Sequence, residues 1–114
     1  MSKPDLSQVR GPLLNYVSRA LSFGDEVPGR ERGDWLFPVD TDEDVVRLRR
    51  QLAAVLRHVT AALDALERGD CAALDRDSGL PHLAHAAARL QMAIVQAVDA
   101  DLLPADPQPR RQAP

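Results

Sequence analysis

Apolar residues recur at helical spacing in three stretches of this chain. The first, "GPLLNYVSRALSFG" at 11–24, aligns Leu13, Leu14, Val17, Ala20 and Leu21. Pro12 suits its first turn, where an absent N–H would have no helical partner, and Gly24 is expected to stop it. The second helix is expected from about Asp42 to Glu67, with a stripe of Val45, Leu48, Leu52, Val55, Leu56, Val59, Leu63 and Leu66. Thr41 is its expected N-cap, and Asp42, Glu43 and Asp44 fill a first turn where the helix dipole favours negative charge. The third is expected from Ser78 to about Leu102, capped by Asp77 or Ser78.

Between the first two helices, "DEVPGRERGDWLFPVD" at 25–40 holds two prolines, two glycines and many charges, so it reads as a long loop. Trp35 and Phe37 are costly to leave in water and should pin that loop to the helices. "RGDCAALDRD" is a short connection between the second helix and the third. Residues 1–11 read as a flexible N-terminus and residues 12–103 as one domain. The proline-rich segment 104–114 reads as a disordered tail.

Placing Leu83 at zero on a helical wheel and advancing about 100° per residue puts Leu90, Ile94, Ala87 and Val98 within about 60° of it. That face is the expected core of the third helix. His82, His85, Arg89 and Gln96 gather on the opposite flank, with Ser78 beside them and Asp75 and Asp77 near its N-terminal end. Three readings of this stripe are open. It can be a solvated helix face, a zinc site built from His82, His85 and a third ligand, or a pocket for an anion. Zinc-binding histidines on one helix usually stand four apart, as in H-E-x-x-H, rather than three. A helix N-terminus offers free N–H groups and a favourable dipole to phosphate, and Arg89 and protonated histidine would add positive charge.

At 114 residues the chain has room for one small domain, whose thin core favours completion by oligomerisation. With only 4% aromatic residues against 45% apolar, the core should be packed helices of alanine and leucine. A net charge of −3 provides no broad basic surface, so a nucleic-acid partner is not expected. The single cysteine, Cys71, excludes an internal disulfide and suits a reducing compartment. No apolar run reaches membrane-spanning length and no signal-peptide core stands at the N-terminus, so a cytoplasmic protein with no membrane partner is expected. "RLRR" at 47–50 reads as a solvated basic cluster in which Arg47 or Arg50 could meet a phosphate. His58 lies about 100° from its helix's apolar stripe, where it can be a boundary residue with one hydrogen bond.

The order of segments carries a resemblance. "SRALSFGDE" is followed by a tryptophan-bearing loop, a helix with "LRHVTAAL", and then "DRDSGLPHLAHAA". This series resembles the phage-type dATP/dGTP diphosphohydrolase family, relatives of the MazG-like all-helical nucleotide pyrophosphohydrolases. That family shows F-G-A-E-K-Y, N-W, R-H and D-x-E-S-G-x-x-H-L-A-H-A in the same order. The resemblance spans roughly residues 12–98 and implies an all-α, three-helix antiparallel MazG-like bundle that assembles as a homodimer or tetramer. It also implies hydrolysis of a purine deoxynucleoside triphosphate to monophosphate and pyrophosphate, assisted by Mg²⁺ or Mn²⁺. By matched position it makes Glu26 and Asp77 metal ligands and gives His82, His85 and His58 catalytic roles. Arg89 and Trp35 would bind substrate. The family's Lys-Tyr is Val27-Pro28 here, its asparagine past the second histidine is Arg89, and the MazG-type pairing E-E-x-x-E with E-x-x-D is absent. The alternative is a non-catalytic nucleotide-binding or regulatory protein on the same scaffold.

Overall fold

The computed structural model describes residues 8–26, 35 and 43–107. Among them the chain is all-α: α1 (Gly11–Asp25), α2 (Asp44–Glu67) and α3 (His82–Asp99). Pro12 stands in the first turn of α1, as expected. Gly24 does not stop that helix. Its backbone stays helical and the chain continues to a right-handed C-cap at Glu26, whose N–H reaches the Ser22 and Phe23 carbonyls at 3.2 and 3.1 Å. Glu43 is the N-cap of α2; Thr41, Asp42 and Phe37 lie outside the described residues. α2 closes through Gly69, which takes the left-handed backbone (φ 81°), while the Asp70 N–H returns to the Ala65 carbonyl at 2.9 Å.

α3 begins at His82, later than the sequence pattern predicts. Residues 73–82 form a closed loop in its place. The His82 N–H donates to the Ala73 carbonyl at 2.8 Å and the Asp75 N–H to the Leu80 carbonyl at 2.8 Å. Gly79 supplies the turn with a positive φ of 72°, and Pro81, at the N-cap, holds Leu80 away from helical backbone. Neither Asp77 nor Ser78 caps the helix.

α3 packs against both other helices. Gln51 reaches Gln96 at one end of the α2–α3 contact and His58 reaches His82 at the other, so these two helices run antiparallel. Val17 and Ala20 of α1 close on Ala84 and Ala88 of α3, with Leu21 and Leu80 packed around them. A second small cluster, Ala62, Ala65 and Ala73, seals the end of α2 against the loop.

The expected core face of α3 is reversed. Leu83, Leu90 and Ile94 are 60, 43 and 49% exposed, and Ala87 and Val98 are only half-buried. The buried residues are Ala84, Ala86, Ala88, Ala93 and Ala97. On the wheel these alanines form two flanks about 180° apart, Ala84 and Ala88 on one and Ala86, Ala93 and Ala97 on the other. α3 therefore touches its neighbours along both flanks, and the direction between them that faces inward falls on the His82–His85–Arg89–Gln96 stripe. The grouping of residues into stripes holds, while inside and outside exchange places. α2 does the same: Leu52, Leu56, Leu63 and Leu66 are exposed, and Gln51, Ala54, Ala62 and Ala65 are buried. No helix among the described residues is long and apolar enough to cross a membrane.

Because the helices meet through alanines, added volume inside should harm the fold more than lost volume outside. Ala93→Leu, at a position only 1% exposed, should cost about 1–3 kcal/mol by overpacking. Leu83→Ala at low protein concentration should change stability by less than about 0.5 kcal/mol. Urea denaturation of both variants measures the contrast.

Candidate functional site

A cavity of about 310 Å³ lies between the C-terminal half of α1, the 73–82 loop and the inner faces of α2 and α3. Its polar wall is Asp25, His58, Asp75, Asp77, His85 and Arg89; Leu21, Phe23, Trp35 and Met92 supply the apolar wall. The size is at the lower end for small-molecule pockets, and the mixture of apolar lining with a few convergent polar groups is typical of them.

The loop fixes the carboxylates. Asp75 Oδ1 accepts the backbone N–H groups of Asp77 and Ser78, each at 3.0 Å, in a tight aspartate turn. The Ser78 hydroxyl approaches the same oxygen at 3.3 Å, accepts the Leu80 N–H at 3.1 Å and meets His85 Nε2 at 2.6 Å. Asp75 thus holds Ser78, and Ser78 holds the imidazole of His85. The carboxylate pairs with the serine rather than with the imidazole, so this is a positioning set and not a nucleophilic triad.

All three histidines of the chain converge here. The ring of His58, from α2, stacks on His85 with centroids 5.0 Å apart and tilts against His82 at 5.2 Å. His58 Nδ1 stands 3.0 Å from His82 Nδ1, and His82 Nδ1 lies 3.9 Å from Asp75 Oδ2. Phe23 of α1 meets the His85 ring edge-on at 5.9 Å.

Further along α3 a chain of hydrogen bonds crosses to α2 and back. Arg89 donates to Gln51 at 3.2 Å, Gln51 to Gln96 at 3.2 Å, and Gln96 to the Trp35 carbonyl at 2.9 Å. Trp35 is thereby fixed to α3 at the cavity wall.

Burial holds the His58 imidazole below its ordinary value of 6.5, and the neighbouring His85 and His82 lower it further, against a smaller upward pull from Asp75. His85 is lowered as well, by burial first, with Asp75 opposing and His82 and Arg89 assisting. Burial pushes Asp75 up, but the Ser78 and Asp77 N–H groups outweigh it and its carboxyl lies below 3.8. Both imidazoles are accordingly neutral near pH 7 beside an ionised carboxylate.

Of the residues expected from sequence, Asp77, His58, His85, Arg89 and Trp35 share this cavity. His82 abuts it through His58 and Asp75. Glu26 is exposed and is not part of the wall; Asp25 occupies that place. The cause is helical phase. Because α1 continues through Gly24, Asp25 lies about 80° from the buried Val17 direction and Glu26 about 180° away. The N-terminus of α3 is not open to an anion at His82, whose N–H is taken by Ala73. Asp75 and Ser78, which the sequence pattern placed beside the histidine stripe without giving them a role, are contributors, and so is Gln51, which it did not name. The D-x-D-S spacing of an aspartate turn is the one signal that could have found the first two.

A family model described as dATP/dGTP diphosphohydrolase, N-terminal, matches residues 1–103. No curated protein and no solved structure matches the chain. The matched span takes in all three helices and every residue of the cavity wall, and the chain belongs to the dATP/dGTP diphosphohydrolase family, through that family's N-terminal domain.

Proposed function

We propose that this cavity binds a purine deoxynucleoside triphosphate and that the protein hydrolyses dATP or dGTP to the monophosphate and pyrophosphate. The observation that carries the reading is the convergence of Asp25, Asp77, His85, Arg89 and Trp35 on one cavity in a chain of this family. Leu21, Phe23, Met92 and Trp35 offer a flat base an apolar wall. Arg89, already oriented by Gln51, supplies positive charge for the phosphates and for charge developing on the leaving pyrophosphate.

A triphosphate beside Asp25, Asp75 and Asp77 requires cations to offset the repulsion. The oxygen donors of Asp25 and Asp77 fit Mg²⁺ or Mn²⁺, hard ions that bind a few carboxylates together with substrate phosphates. When bound, such an ion would neutralise phosphate charge and acidify an attacking water. His85 is kept neutral by burial, and because Ser78 gives its hydroxyl proton to Asp75, His85 donates from Nε2 to Ser78 and is left with Nδ1 as the atom that can take or return a proton. The exposed leucines of α2 and α3 support assembly as a homodimer or tetramer, in which another copy covers them.

Incubation with each deoxynucleoside triphosphate and Mg²⁺ or Mn²⁺ should release monophosphate and pyrophosphate, fastest with dATP or dGTP. His85→Ala should lower kcat by roughly 10²–10⁴-fold, and Asp77→Asn should shift activation to higher metal concentration. Undiminished nucleotide binding without turnover would support the non-catalytic alternative instead, for which Val27-Pro28 in place of Lys-Tyr speaks.

The lowered imidazoles set a pH dependence. Unfolded, His58 and His85 bind protons near pH 6.5; folded, they bind them only at lower pH, so their contribution to stability is complete above about pH 6.5 and is lost as pH falls through the folded values. Asp75 adds a further loss below 3.8. In metal-free buffer Tm should be level above neutrality and fall on acidification from about pH 6.5, and His58→Gln should flatten the first part of that fall. Light scattering should give a mass of two or four chains; a monomer at high concentration would remove the assembly.

A further inference from the structure

The chain has only three histidines, and two of them place Nδ1 atoms 3.0 Å apart beside a carboxylate. One hydrogen bond between neutral imidazoles would account for that distance alone. It does not account for Asp75. The Oδ1 of that residue is saturated by two backbone N–H groups and the Ser78 hydroxyl, which orients the carboxylate so that Oδ2 is the atom facing His82, at 3.9 Å. Such orientation by neighbouring donors is what ligating carboxylates commonly show. One ligand atom from each of His58, Asp75 and His82 lies within 4.8 Å of the other two.

We propose that His58, Asp75 and His82 bind one divalent transition-metal ion of the Zn²⁺ or Co²⁺ type. Bonds of about 2.0–2.2 Å place neighbouring ligand atoms roughly 3.0–3.4 Å apart. The two imidazole nitrogens, 3.0 Å apart, stand at the short end of that spacing; the Asp75 carboxylate, 3.9 Å from His82 Nδ1 and with an oxygen within 4.8 Å of the His58 ligand atom, moves inward to complete the set. Two imidazoles and one carboxylate favour borderline transition ions, whereas Mg²⁺ prefers oxygen donors throughout. The ligands come from three places: mid-α2, the 73–82 loop and the first residue of α3. The three are half-buried, and His58 and Asp75 also form cavity wall. Coordination positions not filled by protein therefore open toward the cavity, where water or an oxyanion can enter. This ion is distinct from one carried in by a triphosphate at Asp25 and Asp77, and it binds whether or not a nucleotide does.

The test is titration of the tag-free, chelator-treated full chain with Co²⁺ in excess Mg²⁺, followed by visible absorption, and with Zn²⁺, followed by Tm. The expected result is saturation at one Co²⁺ per chain, bands of four- or five-coordinate Co²⁺, displacement by Zn²⁺, and a rise in Tm with Zn²⁺. His82→Ala and Asp75→Asn should each weaken binding at least about tenfold, while His85→Ala, which removes a ring held by Ser78, should retain it. Should a variant fail to fold, the Co²⁺-loaded wild type decides: two hyperfine-shifted imidazole N–H signals support the site, and any other number overturns it. Absence of saturable binding in the wild type, binding indifferent to His82→Ala and Asp75→Asn, or equal loss in His85→Ala overturns the proposal. None of these readouts involves nucleotide turnover, so failure here and failure of the hydrolase reading are distinguishable.

Discussion

A polar seam between α2 and α3 governs this structure. Side chains that can hydrogen-bond cannot be withdrawn from water without partners, because each unpartnered group costs about 1–3 kcal/mol. Gln51, at 7% exposed, meets that requirement by bonding both Arg89 and Gln96; His58 meets it at His82. These pairings fix the register of the two helices at both ends. With the register set, the alanines beside the seam come into contact, and the long leucines are left facing out. The polar residues thus specify how the helices pair, and the small residues allow them to approach.

This explains what could be read from the sequence and what could not. Periodicity located all three helices and separated the leucine stripe of α3 from its polar stripe, since these depend only on the helical repeat. It did not indicate which stripe faces inward. Hydrophobicity alone favours the leucines of α3 as core, and that preference holds only if something covers them within the chain. α3 instead has neighbours on both alanine flanks, a property of the three-helix arrangement and not of α3's own pattern. The same limit applies to Glu26 and Asp25. The difference between them rests on whether Gly24 ends α1, and glycine is compatible with either outcome.

The histidine cluster was legible in part. His82 and His85 stand three apart and share a stripe, and the resemblance to a known family joined His58 to them. The actual connections run through Asp75 and Ser78, whose roles depend on a backbone turn that helical periodicity does not display. The local chemistry of the turn comes first: aspartate closes it, serine extends it, and glycine and proline complete it. The cavity takes two of its carboxylates, Asp75 and Asp77, from a segment that lies outside any helix.

The link between the Ala73 carbonyl and the His82 N–H, at 2.8 Å, gives that segment a further property. It makes residues 73–82 a ring whose circumference is fixed by its own backbone. Adding or removing a residue inside the ring would rotate α3 about its axis by about 100° relative to the loop, carrying His82, His85 and Arg89 away from α2 together. Length in "ALDRDSGLPH" is therefore as strongly constrained as identity. The stretch just before it is anchored to the ring in turn, because Asp70 returns its N–H to the Ala65 carbonyl and accepts the Ala73 N–H on Oδ1, so the end of α2 and the start of the ring are set together.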